Sequence, residues 1–570
     1  MTVRATQAAA AAAAAGEVTL LLRGGTVVDG TGAPVVVADV AVVGDRVVAV
    51  GPDLAAGLSV ARGARVIDAR GLVVAPGFID AHTHSDVVPF MAEAQPFKVL
   101  QGVTTEVVGN CGNSAAPLVD QRAVDLHRPI SSTVAAGVDR VWHRPRTFAG
   151  YLDAVEQHGT TTHLASLVGH HTLRISANGM AEELAPGALD RMRDLADQAF
   201  ADGAFGLSTG LIYAPGVYAG PDEVAALAEV AARWGRPYAT HMRDEGDGLT
   251  ASLAETLDVA RRTGVRVQVS HCKAAGRGNA GRSAELLATL HEARSRGIDV
   301  YGDAYPYTTG ESFLTALLPA AAQVGGRSEL VRRLQDPAVR RELAERGAAG
   351  GPGSGSWSQT TPAGVLVSMH TDASLLGVSV AQVAAERGLD PWDALCDLVL
   401  ADPGAMMVYE LMDETDVRAI LADPLIAIGS DNSVPVGNAH QRGWGCFPTV
   451  LGRYVRDLGV LDLQEAVRKM TSLTARALGL PGRGYLAPGA VADLAVFDPA
   501  AIGHAGTPQA PWVRPTGVLC TVVAGSVVVD EGEFTGDRRG RVLRAGRPEP
   551  TGAGGSAGTT GVAGVAGSAA

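Results

Sequence analysis

Lysine is almost missing from this chain. Of its 47 basic residues only Lys98, Lys273 and Lys469 are lysines, and the rest are arginines. Coding bias toward arginine accounts for that, but each retained lysine then marks a place where a compact, flexible ammonium serves and a planar guanidinium does not. Cysteine is scarce too. The five present (Cys111, Cys272, Cys396, Cys446 and Cys520) are odd in number, scattered, and form no CxxC pair. That argues against a disulfide framework and for a reducing compartment, so a cytoplasmic location is expected. No apolar run is long enough to span a bilayer. The alanine-rich start lacks the leucine-rich segment of a signal peptide, so residues 1–17 read as a disordered leader and a secreted binding module is disfavoured. Positive charge is in deficit, with 60 acidic residues and a formal net charge of −13. Nucleic acid and anionic membranes are therefore poor partners, and a small-molecule substrate is the expected one.

What is present is globular. The chain has 570 residues, 46% hydrophobic and 19% charged, ample for a large core. Residues 18–70 and about 484–545 read as short strands with glycine-rich turns, which suggests one small β domain built from both ends. The middle alternates β-type runs with Ala/Leu/Arg-rich stretches of helical spacing such as 221–234 and 248–263. Eight candidate strands emerge: 73–79, 104–108, 162–168, 205–208, 237–240, 266–270, 299–303 and 425–428. Eight strands with helical crossovers predict a (β/α)8 barrel. Two segments break the rhythm. Residues 119–150 form an excursion, and residues 309–424 form an insertion long enough to be a lid or substrate-selecting element. The low-complexity stretch 548–570 reads as a disordered tail.

Chemistry-bearing residues gather where these strands end. The first runs into Gly77-Phe78-Ile79-Asp80-Ala81-His82-Thr83-His84. Side chains alternate along a strand, so His82 and His84 share a face and can grip one divalent ion. Taken alone, the pair could equally be two surface histidines. The other ends decide the matter: Asn110-Cys111-Gly112, Thr240-His241, Ser270-His271 and Ser430-Asp431. Barrel chemistry sits at the strands' C-terminal face, so His82, His84, Cys111, His241, His271 and Asp431 converge on one mouth. A single metal centre explains them together, whereas a buried apolar role for Cys111 or a helix cap at Asp431 explains one residue at a time.

At this point the sequence resembles the amidohydrolase superfamily, and within it the N-acyl-D-amino-acid deacylases (D-aminoacylases). The resemblance covers residues 18–545 and rests on APGFIDAHTHSD, GVTTEVVGNCG, LVGHHTLR, GAFGLSTGLIYAPGVYA, ATHMRDEG, VQVSHCKAAG, DAYPYT, IGSDN, HQRGWGCFP and VRKMTSLTARALGL. It implies an α/β fold: a (β/α)8 TIM barrel of the metal-dependent amidohydrolase type over 73–479, and a β-sandwich over 18–72 and 480–547. It also implies one tight zinc on Cys111, His241 and His271, with a second, weaker site on His82, His84 and Asp431. Many binuclear relatives bridge their metals with a carboxylated lysine at the fourth strand's end. Here that strand reads FGLSTG and has none, while Cys111 stands where the D-aminoacylases use a cysteine.

The implied reaction is zinc-dependent hydrolysis of N-acyl-D-amino acids, with Asp431 as general base and then general acid. The leaving amino acid carries an α-carboxylate that needs a cation. Lys273 and Arg442 are the candidates, and by resemblance a tyrosine joins them, Tyr305 unless the nearby Tyr307 takes the place. His170 and His171 are equally suited to substrate contact and to packing. Ser208 and Thr209 are expected to shape the pocket floor, Glu106 to belong to a polar barrel layer, and Met406, Met407 and Met412 to pack the lid helices. The chain departs from the family at Glu311, Asn432 and His171, changes that bear on specificity. Related readings are a dipeptidase acting on D-dipeptides, an enzyme for cyclic amides of the hydantoinase or dihydroorotase kind, and a scaffold without catalysis. Cys111 and the missing fourth-strand lysine argue against the cyclic-amide enzymes, and the complete ligand set argues against the scaffold.

Overall fold

The computed structural model describes residues 17–54, 58–91, 95–128, 146–351, 353–434 and 436–546. Apart from Glu17, the expected leader and tail lie outside the described residues.

Eight parallel strand positions form the barrel: β1 (Phe78–Asp80), β2 (Val103–Val108), β3 (His163–Ser166, resumed over Val168–Gly169), β4 (Leu207–Gly210), β5 (Tyr238–His241), β6 (Val267–Val269), β7 (Val300–Ala304) and β8 (Ile426–Ile428). One ladder joins β1 to β3, and a second runs from the resumed end of β3 to β8. Single backbone bonds knit the arcs together. Leu167 N–H donates to Val108 O at 2.9 Å, and Ala81 N–H donates to Ile428 O at 3.2 Å. Both faces of every strand are buried, which explains near-continuous apolar runs in place of strict alternation.

The crossover helices follow simple rules. In Pro221–Arg233 the proline occupies the first turn, where its missing N–H costs nothing, Asp222 and Glu223 stand at the positive end, and Arg233 stands at the negative end. Its buried face includes Val224, Leu227, Ala228 and Ala231. Below the mouth, Ile79, Val107, Leu167 and Phe205 fill the barrel floor, and Leu478, Leu480 and Leu543 seal it.

The small domain is a nine-stranded sheet drawn from both ends of the chain. Its seam pairs Val73–Pro76 antiparallel with Leu494–Phe497. A bulge between Leu22 and Gly25 lets the strand Val18–Val27 exchange one partner, Val60–Asp68, for another, Val73–Pro76.

Three boundaries differ from the sequence reading. The expected strand 73–79 is two strands, because the chain leaves the small sheet at Pro76 and enters the barrel at Phe78. Gly77 makes the crossing, where a Cβ would lie 2.3 Å from the Thr104 side chain. Residues 541–545 belong with the barrel rather than the sandwich, since Leu164 N–H donates to Arg541 O and Leu543 N–H donates to Leu164 O. The helix Glu414–Ala422 is the crossover into β8, with Val417, Ile420 and Leu421 in the barrel core, and is no part of the lid. The lid itself is a three-stranded sheet, Thr309–Phe313, Met406–Glu410 and Val365–Met369, with its own core around Leu317, Leu334, Val367 and Leu395. Met406 and Met407 lie in its central strand, not on helices. Among the described residues no helix is long and apolar enough to cross a membrane, and all five cysteines are free and buried.

Asp493 locks the two domains together. It accepts from His163 Nε2 at 3.0 Å and Ala524 N–H at 2.8 Å, and pairs with Arg483 Nε at 3.2 Å. Burial pushes its carboxyl up, but His163 and Arg483 overcome this and hold it at about 2 against an ordinary 3.8. Removing one member of such a buried set strands the others, so Asp493→Ala is expected to cost roughly 3–5 kcal/mol in denaturant unfolding. A depressed carboxyl stabilises the fold above its unfolded value. The gap between parent and variant is therefore expected to hold above about pH 4 and to shrink as pH falls toward 2.

Candidate active site

The strand ends deliver their side chains to one place by unusual backbone turns. Cys111, His271 and Asp431 all sit in the left-handed region, with φ of 51°, 34° and 50°. A non-glycine residue there costs about 1–2 kcal/mol, and such strain persists only where the surroundings fix it. Glycine makes the approach to Cys111 possible: a Cβ on Gly112 would lie 2.9 Å from the His171 ring. Ser208 Oγ accepts from Gly112 N–H at 3.1 Å and donates to Gly109 O at 2.5 Å, tying the loop to β4. Asp303 Oδ1 accepts from His271 N–H at 2.9 Å. Asp431 N–H donates to His82 O at 2.7 Å.

All six sequence-derived ligands meet here. Cys111 Sγ lies 3.3 Å from His82 Nε2 and 3.4 Å from His271 Nε2. Asp431 Oδ1 lies 3.4 Å from His82 Nε2 and 3.3 Å from His84 Nε2. Two sets have all their donor atoms within 4.8 Å of one another: His82, Cys111, His271 and Asp431, and also His241, Glu245 and His271. Cys111 thus stands beside both His82 and His271, and His271 belongs to both sets. The donors suit a metal ion. Both ring nitrogens of His241 are buried without a hydrogen-bond partner, a rare state for a buried polar atom, and a mixed set of imidazole, thiolate and carboxylate matches a borderline divalent cation.

Mutual attraction outweighs burial in setting most of the charges. Burial pushes the Cys111 thiol up, yet His82 and His271 bring it well below its ordinary range. Burial pushes Asp431 up, and Arg442 followed by His271 holds it well below the carboxylate range. His84 and His271 are raised to about 9 against desolvation, His84 by Asp431 and His271 by Glu245. His241 is lowered, by burial above all.

Beside these groups lies a cationic face. Arg442 Nη1 pairs with Asp431 Oδ2 at 2.9 Å, and its guanidinium stands 4.7 Å from the Tyr305 ring centre. Lys273 Nζ lies 5.9 Å from the same ring and 2.8 Å from Glu245 Oε2. All three line, with the candidate ligands except His82, a cavity of about 870 Å³ counted to its open mouth. Tyr307 does not; its hydroxyl bonds Thr449 Oγ1 at 2.9 Å. His170 is held by Glu223 at 2.7 Å, and His171 donates to Gly210 O at 2.9 Å, so both pack behind the wall. Ser208 and Thr209 are likewise absent from the pocket floor, because Ser208 holds the Cys111 loop and Thr209 bonds Tyr238 and Thr240. Glu106 accepts from Thr162 at 2.6 Å inside the barrel. Met406 lines the cavity while Met407 turns into the lid core.

The sequence profile of the Amidohydrolase family matches residues 65–529. The chain is 39% identical over 528 residues to D-aminoacylase from Alcaligenes xylosoxydans xylosoxydans, covering 92% of this chain and 97% of that enzyme. It is 38% identical over 539 residues to the N-acyl-D-glutamate deacylase of the same organism, covering 93% and 98%. Among solved structures, N-acyl-D-glutamate deacylase from Bordetella bronchiseptica, complexed with zinc and a phosphonate mimic of the tetrahedral intermediate, superimposes with a TM-score of 0.77. The identity there is 32%, over 93% of this chain and 100% of that one.

Sequence reasoning passed over two carboxylates at the site. Asp303, near the end of β7, stands 3.3 Å from His82 Nδ1 and leads the groups that raise that imidazole's pKa against burial. Glu245 touches His271 Nδ1 at 3.0 Å, Lys273 Nζ at 2.8 Å and His241 Nε2 at 3.4 Å. Burial pushes Glu245 up, but His241 and Lys273 lead the groups that bring it to about 2. Its place four residues after His241, in ATHMRDEG, was the available signal. A carboxylate that orients imidazole ligands typically contributes 10–100-fold to metal affinity. Glu245→Gln is therefore expected to weaken metal retention by about that factor in chelator competition, with the far-UV spectrum unchanged; retention equal to the parent would exclude the role.

Proposed function

This chain belongs to the amidohydrolase family, and we propose that it hydrolyses the amide bond of N-acyl-D-amino acids at a zinc centre, releasing a carboxylate and a free D-amino acid. The observation that carries the reading is the juxtaposition, in one cavity, of the imidazole–thiolate–carboxylate cluster with the Arg442, Lys273 and Tyr305 face. Such a cavity fits a substrate whose scissile amide lies next to an α-carboxylate. The D-hand and the zinc are supported by the relatives, which are similar over nearly the whole chain.

His82, His84, Cys111, His241, His271 and Asp431 are the groups that would hold the metal, with Glu245 orienting His241 and His271. A zinc ion so held polarises a carbonyl and acidifies water. The protein's own residues do the rest. Arg442 and Lys273 grip the α-carboxylate, and Tyr305 braces both cations from below. Asp431 takes the attacking water's proton on Oδ1 and returns it to the amide nitrogen as the amine leaves. Because Arg442 touches Asp431 as well as the substrate face, a bound carboxylate shares the guanidinium with the base. Recognition of the α-carboxylate and proton transfer are thereby linked through one side chain. Phe313, Met406 and Leu411 bring the lid down on the cavity and exclude bulk water.

Amine release from paired N-acetyl-D- and N-acetyl-L-amino acids by zinc-loaded protein tests the reading. Turnover confined to the D-series is expected, and absence of turnover of either hand with zinc bound would overturn it. Asp431→Asn is expected to lower kcat by roughly 10²–10⁴-fold, the usual share of general acid–base catalysis, while the protein stays folded.

A further inference from the structure

We propose that Glu311 is a specificity-determining residue that bars a second carboxylate from the cavity, confining this enzyme to N-acyl-D-amino acids whose side chains are not acidic. The inference rests on the deacylase reading and deepens it by naming the substrate class.

Glu311 stands at the middle of the lid strand Thr309–Phe313 and lines the substrate cavity. Its carboxylate accepts from Ser433 Oγ at 2.7 Å, His440 N–H at 3.2 Å and Ser368 Oγ at 3.3 Å. All three donors are neutral, and among the described residues no cation pairs with it. Arg442 is the cation that acts on it most strongly, and Arg442 is already engaged by Asp431 at 2.9 Å. The lid thus carries a carboxyl group to the edge of the face that binds the substrate's own carboxylate; burial pushes its pKa up, while Arg442, the Ser433 hydroxyl and the His440 N–H favour its charged form.

A deacylase acting on N-acyl-D-glutamate or N-acyl-D-aspartate must place a second carboxylate in the same cavity, and it needs a positive group to do so. Among the described lining residues, the candidate metal ligands apart, none is to spare. Lys273 is held by Glu245 at 2.8 Å. The α-carboxylate takes what remains of Arg442. His127, on the opposite wall, is driven by burial down to about 4 and is neutral at neutral pH. The lid contributes Phe313, Met406, Tyr409 and Leu411, which suit an uncharged side chain. Behind Glu311, on the side away from the cavity, lie Trp444 and Trp512. Like charges brought together without a counter-ion are discriminated against strongly, which is how binding sites reject wrong partners.

The test compares N-acetyl-D-glutamine with N-acetyl-D-glutamate, substrates of the same shape that differ in charge, on zinc-loaded parent enzyme and on Glu311→Gln. The parent is expected to favour glutamine by at least about 100-fold in kcat/KM, and the variant to shrink that ratio at least about tenfold. A parent ratio near one, a preference for glutamate, or a ratio that Glu311→Gln leaves unchanged would overturn the proposal. Turnover of no N-acyl-D-amino acid by the parent would instead overturn the deacylase reading, and this inference with it. Should the Gln variant not fold, the parent still decides: N-acetyl-D-glutamate is expected to be a poor competitor of N-acetyl-D-methionine turnover, and tight competition would overturn the proposal.

Discussion

Cys111 and His271 meet at 3.4 Å inside a cavity wall that water barely reaches. A lone charge moved there would be driven to its neutral form by several kcal/mol. The cluster of candidate ligands avoids this by pairing its charges. The thiol stands between two imidazoles, the second imidazole faces Glu245, Glu245 reaches Lys273, and Asp431 reaches Arg442. Each ionic group of this cluster is another's counter-ion. The chain of contacts passes from the candidate ligands to Lys273 and Arg442 without a break, so the candidate metal cluster and the cationic face belong to one electrostatic network.

That network requires the side chains to point inward at the barrel's upper rim, where regular strands would turn them elsewhere. Three residues in the left-handed region supply the turn. Their strain is offset by backbone bonds that have no freedom to relax: Asp303 holds His271, the His82 carbonyl holds Asp431, and Ser208 holds the glycines around Cys111. The short strands follow from the same need. β1, β6 and β8 span three residues each, and each gives way at once to a turn bearing a ligand. Below the rim the floor is apolar and sealed from beneath, so flexibility there is not needed and rigidity is inherited from packing.

The sequence carried the six positions that meet at the barrel rim because strand ends and metal-binding residue types coincide at each of them. The barrel was legible for the same reason, since alternating β-type and helical runs leave a periodic trace. Glu245 and Asp303 were harder. Each is one acid among 60, and nothing local marks a carboxylate that will turn toward a histidine brought in from another strand. The pairing of His271 with both Glu245 and Cys111 is a fact of three-dimensional placement. The division of Val73–Ile79 was hidden because the residues on both sides of Gly77 are apolar, and hydropathy alone does not say which of two sheets an apolar run joins. The helix at 414–422 was assigned to the lid on position alone, whereas its buried valine, isoleucine and leucine decide for the barrel.

Substrate class is set on a different part of the molecule from the chemistry. The lid has its own sheet and its own apolar core, separate from the barrel's. Residues on its inner face can therefore change without disturbing the ligands below. This explains why near-equal overall similarity to enzymes named for different N-acyl-D-amino acids says little about which substrate this chain takes. The similarity spans small domain, barrel and lid alike and does not single out the groups that face the substrate's side chain. Discrimination must come from the few groups that face that side chain. Here the lid presents an apolar surface and Glu311 to that side chain, and Asp86 adds a further carboxyl group to the cavity lining, so charge selection at this site is by exclusion rather than by attraction.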